Sequence, residues 1–440
     1  MKHYNEIIIG AGPAGGRAAK LLAENGHKVL LAEGYQYGGT CPNQGCEPKI
    51  FLEGATRVAL LSQQLKGQGI GQRAKINWED LINAKLKRYE HYSENTENQL
   101  KHLLDTVHGY ASFVNQHTVK IKNEEYEADN IIIATGQVPV KLELPGQEYL
   151  HTSEDLLSLK HLPNKMLFIG GGLVAIELAT VVSAAGCQVS IVLNKERTLM
   201  SFPKYEVRLL EEEMKKRGIK FYFNTEISEI IKNGQGYTVS TNQGNLNADY
   251  IVSAVGRKPN LKRLSLENLK VKTQRQGIIV DEHLETNVAG VFALGDVIAR
   301  PQPKLTPVAE FEAEYLVDYL LGKTKAAISY PTIGTAAFTF PQVAMAGVSP
   351  ETAEGNPEYL IKKTNVSNRG LYAGENDQLS QLTLVYHDQQ LVGVSAIGDH
   401  AADEVNNLLP VIGLKITKQQ YWENVMPIFP TIADKIPYLL

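Results

Sequence analysis

A glycine turn near the start constrains the fold more than any other feature. Ile7, Ile8 and Ile9 form a short apolar run, and Gly10-Ala11-Gly12-Pro13-Ala14-Gly15 follows at once. Strand, glycine turn and small-residue helix, in that order, open a βαβ unit. Gly10 permits the tight turn, Gly12 lets a pyrophosphate approach the backbone, and Gly15 lets helix and strand pack closely. A phosphate there meets N–H groups at the positive end of a helix dipole. The second strand, at 29–31, leads to Glu33. An acid in that register can accept hydrogen bonds from a ribose diol, which weighs against a glycine turn with no ligand.

The same opening occurs again later in the chain. Leu167, Phe168 and Ile169 run into Gly170-Gly171-Gly172-Leu173-Val174-Ala175, and a second strand follows at 189–193. Alanine takes the place of the third glycine, and the strand ends on Leu193 rather than an acid. No carboxylate there repels a 2′-phosphate, and Lys195 and Arg197 could pair with one. The plainer reading of those two cations is a solvated loop.

Between the turns, residues 50–105 read as mostly helical, with Trp78, Leu81, Ile82 and Leu86 at helical spacing. Buried strands are expected at 131–133, ending Ala134-Thr135-Gly136, and at 250–254, ending Val255-Gly256-Arg257. Near Pro331 the pattern changes to strands at 382–386 and 391–397 and an apolar helix over 401–414. The reading is an α/β chain with two Rossmann-like nucleotide-binding domains and an α+β C-terminal domain. Its expected segments are 1–145, 146–260, a central segment 261–330 returning to the first domain, and 331–440.

Bulk properties exclude several classes. A net charge of −4 gives no electrostatic reason to expect nucleic acid or an anionic membrane surface. Three cysteines make no secreted disulfide framework, and no apolar run approaches the length of a membrane span. A cytoplasmic enzyme is the expectation, and no metal site is assigned.

The chemistry concentrates in Gly38-Gly39-Thr40-Cys41-Pro42-Asn43-Gln44-Gly45-Cys46-Glu47-Pro48-Lys49. Two thiols at that spacing on a helix start can close a disulfide, and a helix N-terminus lowers thiol pKa. In isolation, two inert buried cysteines would be the better account. In context the stretch resembles the active-site signature of the class I pyridine nucleotide-disulfide oxidoreductases, the glutathione reductase, lipoamide dehydrogenase and mercuric reductase family. The resemblance runs the full length. Thr135-Gly136 resembles a strand end beside FAD, and Asp296, in Phe292-Ala293-Leu294-Gly295-Asp296, the ribityl-binding aspartate. Leu305-Thr306-Pro307-Val308-Ala309 resembles the helix start beneath the flavin, and 341–349 the opening of a dimer-interface domain. The resemblance implies FAD on the first domain and NAD(P)H on the second, with NADPH favoured because alanine at the third glycine position is commoner with it in the family and because of the strand end at Leu193, Lys195 and Arg197. Electrons would pass to a Cys41–Cys46 disulfide, with Cys46 next to the flavin and Cys41 attacking a small-molecule acceptor in a homodimer. Cofactor contacts would come from Gly10, Gly12, Gly15, Glu33, Thr40, Lys49, Thr135, Gly136, Gly170, Gly172, Glu177, Lys195, Arg197, Gly256, Asp296 and Thr306.

Three departures qualify the resemblance. The family's C-terminal His-Pro-Thr-x-x-Glu reads Phe429-Pro430-Thr431-Ile432-Ala433-Asp434. Phe429 cannot move a proton, and a positioned acid–base group contributes roughly 10²–10⁴ in rate. The family's flavin-side lysine maps to Ile50, with Lys49 one residue early and expected to point elsewhere on a helix, so that either Lys49 reaches over to Glu177 or Glu177 is wetter than in relatives. The arginines that hold glutathione map to Glu314, in a run with Glu310 and Glu312, and to Lys20. A disulfide reductase for a small acceptor other than glutathione disulfide is the first reading. A reductase of thiolate-binding metal ions and a redox-sensing flavoprotein follow.

Overall fold

Burial on both faces makes the first apolar run a central strand. In the computed structural model, which describes residues 2–440, Lys2–Ile9 lies inside a seven-stranded sheet. Ile7, Ile8 and Ile9 are buried there. Parallel neighbours on either side, Val29–Glu33 and Glu124–Ile133, pair Ile8 with Leu31 and Ile132. A parallel sheet covered on both faces demands such continuous apolar strands. Val291–Ala293 adds to the same sheet, setting Phe292 beside Ile132. Helices Pro13–Glu24 and Thr306–Leu320 pack together over it.

That sheet belongs to a unit assembled from the segment ending at Lys49, from Ala84–Val140 and from Gly256–Ser329. The second unit comprises Ile50–Asn83, Lys141–Val255 and Tyr330–Leu440. It holds a four-stranded parallel sheet ordered Lys220–Tyr222, Gln188–Val192, Lys165–Ile169, Tyr250–Ser253. It also holds an antiparallel five-stranded sheet ordered Gly334–Ala337, Gln342–Gly347, Gln390–Gly398, Gln381–His387, Tyr359–Asn365.

Two details differ from the sequence reading. The arm Ile50–Asn83, read as part of the first segment, clusters with the second unit. Its polar side chains explain why: Gln64 donates to Asp399 Oδ2 at 2.7 Å, Arg73 to Ala184 O at 2.6 Å, and Trp78 Nε1 to Leu159 O at 2.8 Å. The second concerns the apolar helix expected over 401–414, which runs as Ala401–Gly413 and whose stripe could have faced a partner subunit or its own core. Its apolar face, Val405, Leu408, Val411 and Ile412, is buried in its own domain's core. The exposed apolar side chains lie further on, at Met426, Ile428, Phe429 and Tyr438.

Candidate active site

The cysteine pair straddles a break between two helices. Cys41 is the second residue of the short helix Thr40–Gln44, and Cys46 opens the long helix Cys46–Gln64. Gly45 between them is tight: a Cβ there would lie 2.9 Å from Thr40 O. The two thiols hydrogen-bond to each other, and both to the Thr306 hydroxyl at the start of Thr306–Leu320. The two cysteines are not joined by a disulfide, and Cys41 is half-buried and Cys46 exposed. The bond from Cys41 draws the Cys46 pKa down to about 6 against the cost of burial, with Lys49 and Thr306 adding to the effect. Donating that bond, together with burial, pushes the Cys41 thiol up. A reduced pair therefore carries its negative charge on Cys46 and a proton on Cys41.

Lys49 corrects one expectation. Three residues beyond Cys46 on one helix, it shares a face with the thiol, and its ammonium acts on it. Glu177 is buried rather than wet, and its Oε1 accepts from Phe338 N at 2.8 Å.

The first glycine turn offers bare backbone. Gly10 has φ +109°, and a Cβ on it would lie 2.4 Å from Ala134 O. Gly38 N donates to Ala11 O at 2.8 Å, and a Cβ on Gly39 would meet Gly12 Cα at 2.6 Å. Two side-chain-free segments thus lie against each other at the start of Pro13–Glu24, whose first turn no side chain caps. Glu33 accepts from Ala11 N and Tyr35 N, each at 2.7 Å, which aims its carboxylate at this edge. Thr135 and Gly136 clasp Asn260: Thr135 Oγ1 donates to Asn260 O at 2.8 Å, and Asn260 N to Gly136 O at 3.0 Å. Bare backbone at a helix start with an acid at the strand end suits the phosphates and ribose of a dinucleotide.

Asp296 sits in the turn Gly295–Val297, and burial raises its carboxyl pKa despite Arg300, Lys304 and Arg257 nearby. Sequence reasoning missed what holds that turn. Glu312 is fully buried, accepts from Gly295 N at 2.7 Å, and pairs with Arg300, which also donates to Gly295 O at 3.0 Å. The acidic run therefore splits. Glu310 is exposed, Glu312 is structural, and Glu314 pairs with Arg17 at 2.7 Å. Lys20 lies beside Glu24 at 3.8 Å.

The second glycine turn repeats the first. Gly170 has φ +111°, and its Cβ would lie 2.4 Å from Ala254 O. Gly172 precedes Leu173–Ala184, again without a side-chain cap. Gly256 (φ +117°) lets the chain turn after the neighbouring strand. Leu193 is buried, and a Cβ on Gly171 would meet its Cδ1 at 2.5 Å. Arg197 does not stand ready for a 2′-phosphate. Its guanidinium donates to Thr198 O, Leu199 O and Met200 O at 3.2, 2.9 and 2.9 Å. Leu199 has φ +43°, and the turn leaves those carbonyls facing the guanidinium. Lys195 remains exposed.

At the C-terminal segment Phe429 is 75% exposed and lies in no helix, and the Phe429–Pro430 peptide is cis. Lys435 Nζ lies 5.2 Å from its ring centre. Asp434 closes a capping box with Thr431 and pairs with Lys435 at 3.2 Å. Tyr438 stacks edge-on against Trp422 at 5.8 Å, an aromatic contact rather than a proton-donor arrangement.

Comparison with known proteins agrees with this architecture. Residues 4–313 match the model of the pyridine nucleotide-disulphide oxidoreductase family, and residues 333–439 match that family's dimerisation domain. The chain belongs to this family of FAD-dependent enzymes that use a pyridine nucleotide and a redox-active disulfide. Among relatives, a glutathione reductase from Nostoc sp. is 29% identical over 98% of this chain and 98% of its own. A dihydrolipoyl dehydrogenase from Geobacillus stearothermophilus is 29% identical over 91% and 88%. A glutathione reductase from Burkholderia cepacia is 29% identical over 98% and 97%. No helix among the described residues is long and apolar enough to cross a membrane.

Proposed function

We propose that the chain is a homodimeric, NADPH-using, cytoplasmic flavoenzyme that reduces a small disulfide other than glutathione disulfide. The observation that carries this reading is the thiol pair, hydrogen-bonded through Cys41 to Cys46 and touched by Thr306. Gly10, Gly12 and Gly15 offer backbone to the FAD pyrophosphate, Glu33 its ribose contact and Asp296 the ribityl contact. Thr40, Lys49, Thr135, Gly136, Glu177 and Thr306 complete the surroundings. Gly170, Gly172, Gly256 and Lys195 serve the second nucleotide, and Arg197 shapes the loop from within. FAD held there would supply two-electron transfer between a nicotinamide nucleotide and the Cys41–Cys46 disulfide.

The protein's own residues then do the thiol chemistry. Reduction of the Cys41–Cys46 bond leaves one sulfur anionic and one protonated. As the Cys41 proton passes to Cys46, Cys41 Sγ attacks one acceptor sulfur, the acceptor S–S bond breaks, and the first sulfur leaves as a thiolate that takes the proton from Cys46. Cys46 Sγ, again a thiolate, then attacks Cys41 Sγ, the mixed disulfide breaks, and the second thiolate leaves and takes a proton from solvent. In sum NADPH, one proton and RSSR give NADP⁺ and two RSH. With Phe429 where a proton donor would stand, leaving thiols of low pKa are favoured. The places of two glutathione-binding arginines hold Glu314, matched to Arg17, and Lys20 beside Glu24, so neither offers an unmatched cation to a glutathione carboxylate.

NADPH oxidation with an activated aromatic disulfide should exceed that with glutathione disulfide by at least about tenfold. Equal rates would refute the reading of Phe429. The Cys46 thiolate should be present above about pH 6 and lost below it. Thiolate ultraviolet absorbance of the reduced protein across that range is the check, and a midpoint above pH 8 would contradict the assignment of charge.

A further inference from the structure

A cavity of about 170 Å³ opens in the second unit where the helices Leu173–Ala184 and Lys204–Lys216 both end. That is far more than the roughly 15 Å³ one water requires. Its polar walls are Gln63, Arg73, Thr180, Ser183, Lys216 and Arg217, and no carboxylate lines it. The acid that serves these cations, Glu213, is shared: it lies 3.2 Å from Lys216 Nζ and 3.4 Å from Arg217 Nη2. Among the described residues Arg73 forms no ion pair with a carboxylate, and its Nη2 donates to a backbone carbonyl instead.

Helix capping accounts for only part of this. Arg73 Nη2 donates to Ala184 O at 2.6 Å, and Arg217 donates to Phe340 O while lying over the Phe340 ring. A guanidinium carries five N–H donors, so these contacts leave donors on both arginines unspent. Burial disfavours the Arg217 charge and Arg73 adds to that effect, while Glu213 and, from outside the lining, Asp399 favour it. Three cations line one solvated space in which no carboxylate takes part, so the wall itself is cationic.

We infer that this cavity binds a small oxyanion carrying two or more negative charges, of the phosphate or polycarboxylate kind. Forked guanidinium donors match the paired oxygens of such groups, and the Ser183 hydroxyl and Gln63 amide can add neutral donors. The site is separate from the nucleotide turn. Helix Leu173–Ala184 has 12 residues, which puts about 18 Å between Gly172 and the cavity end.

The test is calorimetric titration of the FAD-loaded enzyme, saturated with NADP⁺ so that both glycine turns are occupied. Pyrophosphate and citrate are the two probes, at constant ionic strength. At least one should bind saturably, one per chain, and the Arg73→Gln/Lys216→Gln double variant should weaken it by about tenfold or more. Both replaced side chains are exposed, and an unchanged melting temperature checks the fold. Ser183→Glu, which places a carboxylate in the cavity, should abolish the binding as well. Lys195→Gln, at the nucleotide turn, should leave it unchanged. Pyrophosphate alone would identify a phosphate site, and citrate alone a polycarboxylate site. Saturable heat from neither probe, equal heat from chloride, or an identical isotherm in the double variant would overturn the inference.

Discussion

The two glycine turns are nearly the same object in backbone and different objects in chemistry. Gly10 and Gly170 have φ +109° and +111°, and each faces a carbonyl oxygen, Ala134 O or Ala254 O, 2.4 Å from where a Cβ would be. Each starts a helix of 12 residues from an uncapped glycine. The divergence lies at the third position and at the end of the second strand. A Cβ on Gly15 would lie 1.9 Å from Gly10 O, whereas Ala175 is accommodated and fully buried. Glu33 is held by two backbone N–H groups at the first site, and Leu193 is buried against Gly171 at the second. On the proposed reading, the backbone geometry serves the pyrophosphate at both turns, and the side chain at the strand end discriminates between riboses.

The hardest break in the comparison comes at the third position. Gly15→Ala should yield protein without flavin, because the clash is with backbone and overpacking costs about 1–3 kcal/mol or more. Ala175→Gly should retain it. Flavin absorbance per chain decides, and a yellow Gly15→Ala protein would break the assignment of the tighter turn to FAD. Next in size is Glu312, which holds the Asp296 turn by accepting from Gly295 N and pairing with Arg300. Glu312→Ala strands Arg300, whose side chain is only 4% exposed, and should cost about 3–5 kcal/mol together with weaker flavin retention. An unchanged denaturation midpoint and an unchanged flavin affinity would count against this role of Glu312.

Leu193→Glu makes the second strand end resemble the first. It should lower kcat/KM for NADPH relative to NADH by about 10- to 100-fold, and steady-state kinetics with both nucleotides would show otherwise if the strand end is not the discriminator. The smallest effects separate two neighbouring cations. Lys195→Ala should reduce the NADPH preference by a few fold, about 1 kcal/mol, with no change in melting temperature. Arg197→Ala should do the reverse, lowering stability by about 1–3 kcal/mol while sparing the preference. An altered NADPH KM in Arg197→Ala alone would reverse the assignment.

The contrast between local and long-range signals explains what could be read from the sequence. The glycine turns, Glu33 and the Cys41–Cys46 spacing are set within a few residues, and the fold class followed from them. In the sequence Glu312 stands only as one member of an acidic run with Glu310 and Glu314. Helical spacing from Val308 to Leu316, both buried, put Glu312 on the inner face, but its partner Arg300 lies in a separate loop. Arg197 was visible as a cation. Its acceptors were not, because the turn at Leu199 that presents three carbonyls to it is a conformation rather than a composition. The apolar stripe of Ala401–Gly413 identified a helix but not which surface would cover it.

The sheet around Lys2–Ile9 also fixes an order of events during synthesis. Its strand Val291–Ala293, the Asp296 turn and Thr306 leave the ribosome after the whole second glycine turn, although they complete the unit begun by the first residues. Domains otherwise tend to fold as they emerge. Here the nascent cysteine pair waits without Thr306, and with Asp296 still unmade, until some two-thirds of the polypeptide has been translated. Flavin supply and shielding from stray oxidants therefore matter most late in elongation, when the thiols are already made and their final setting is not.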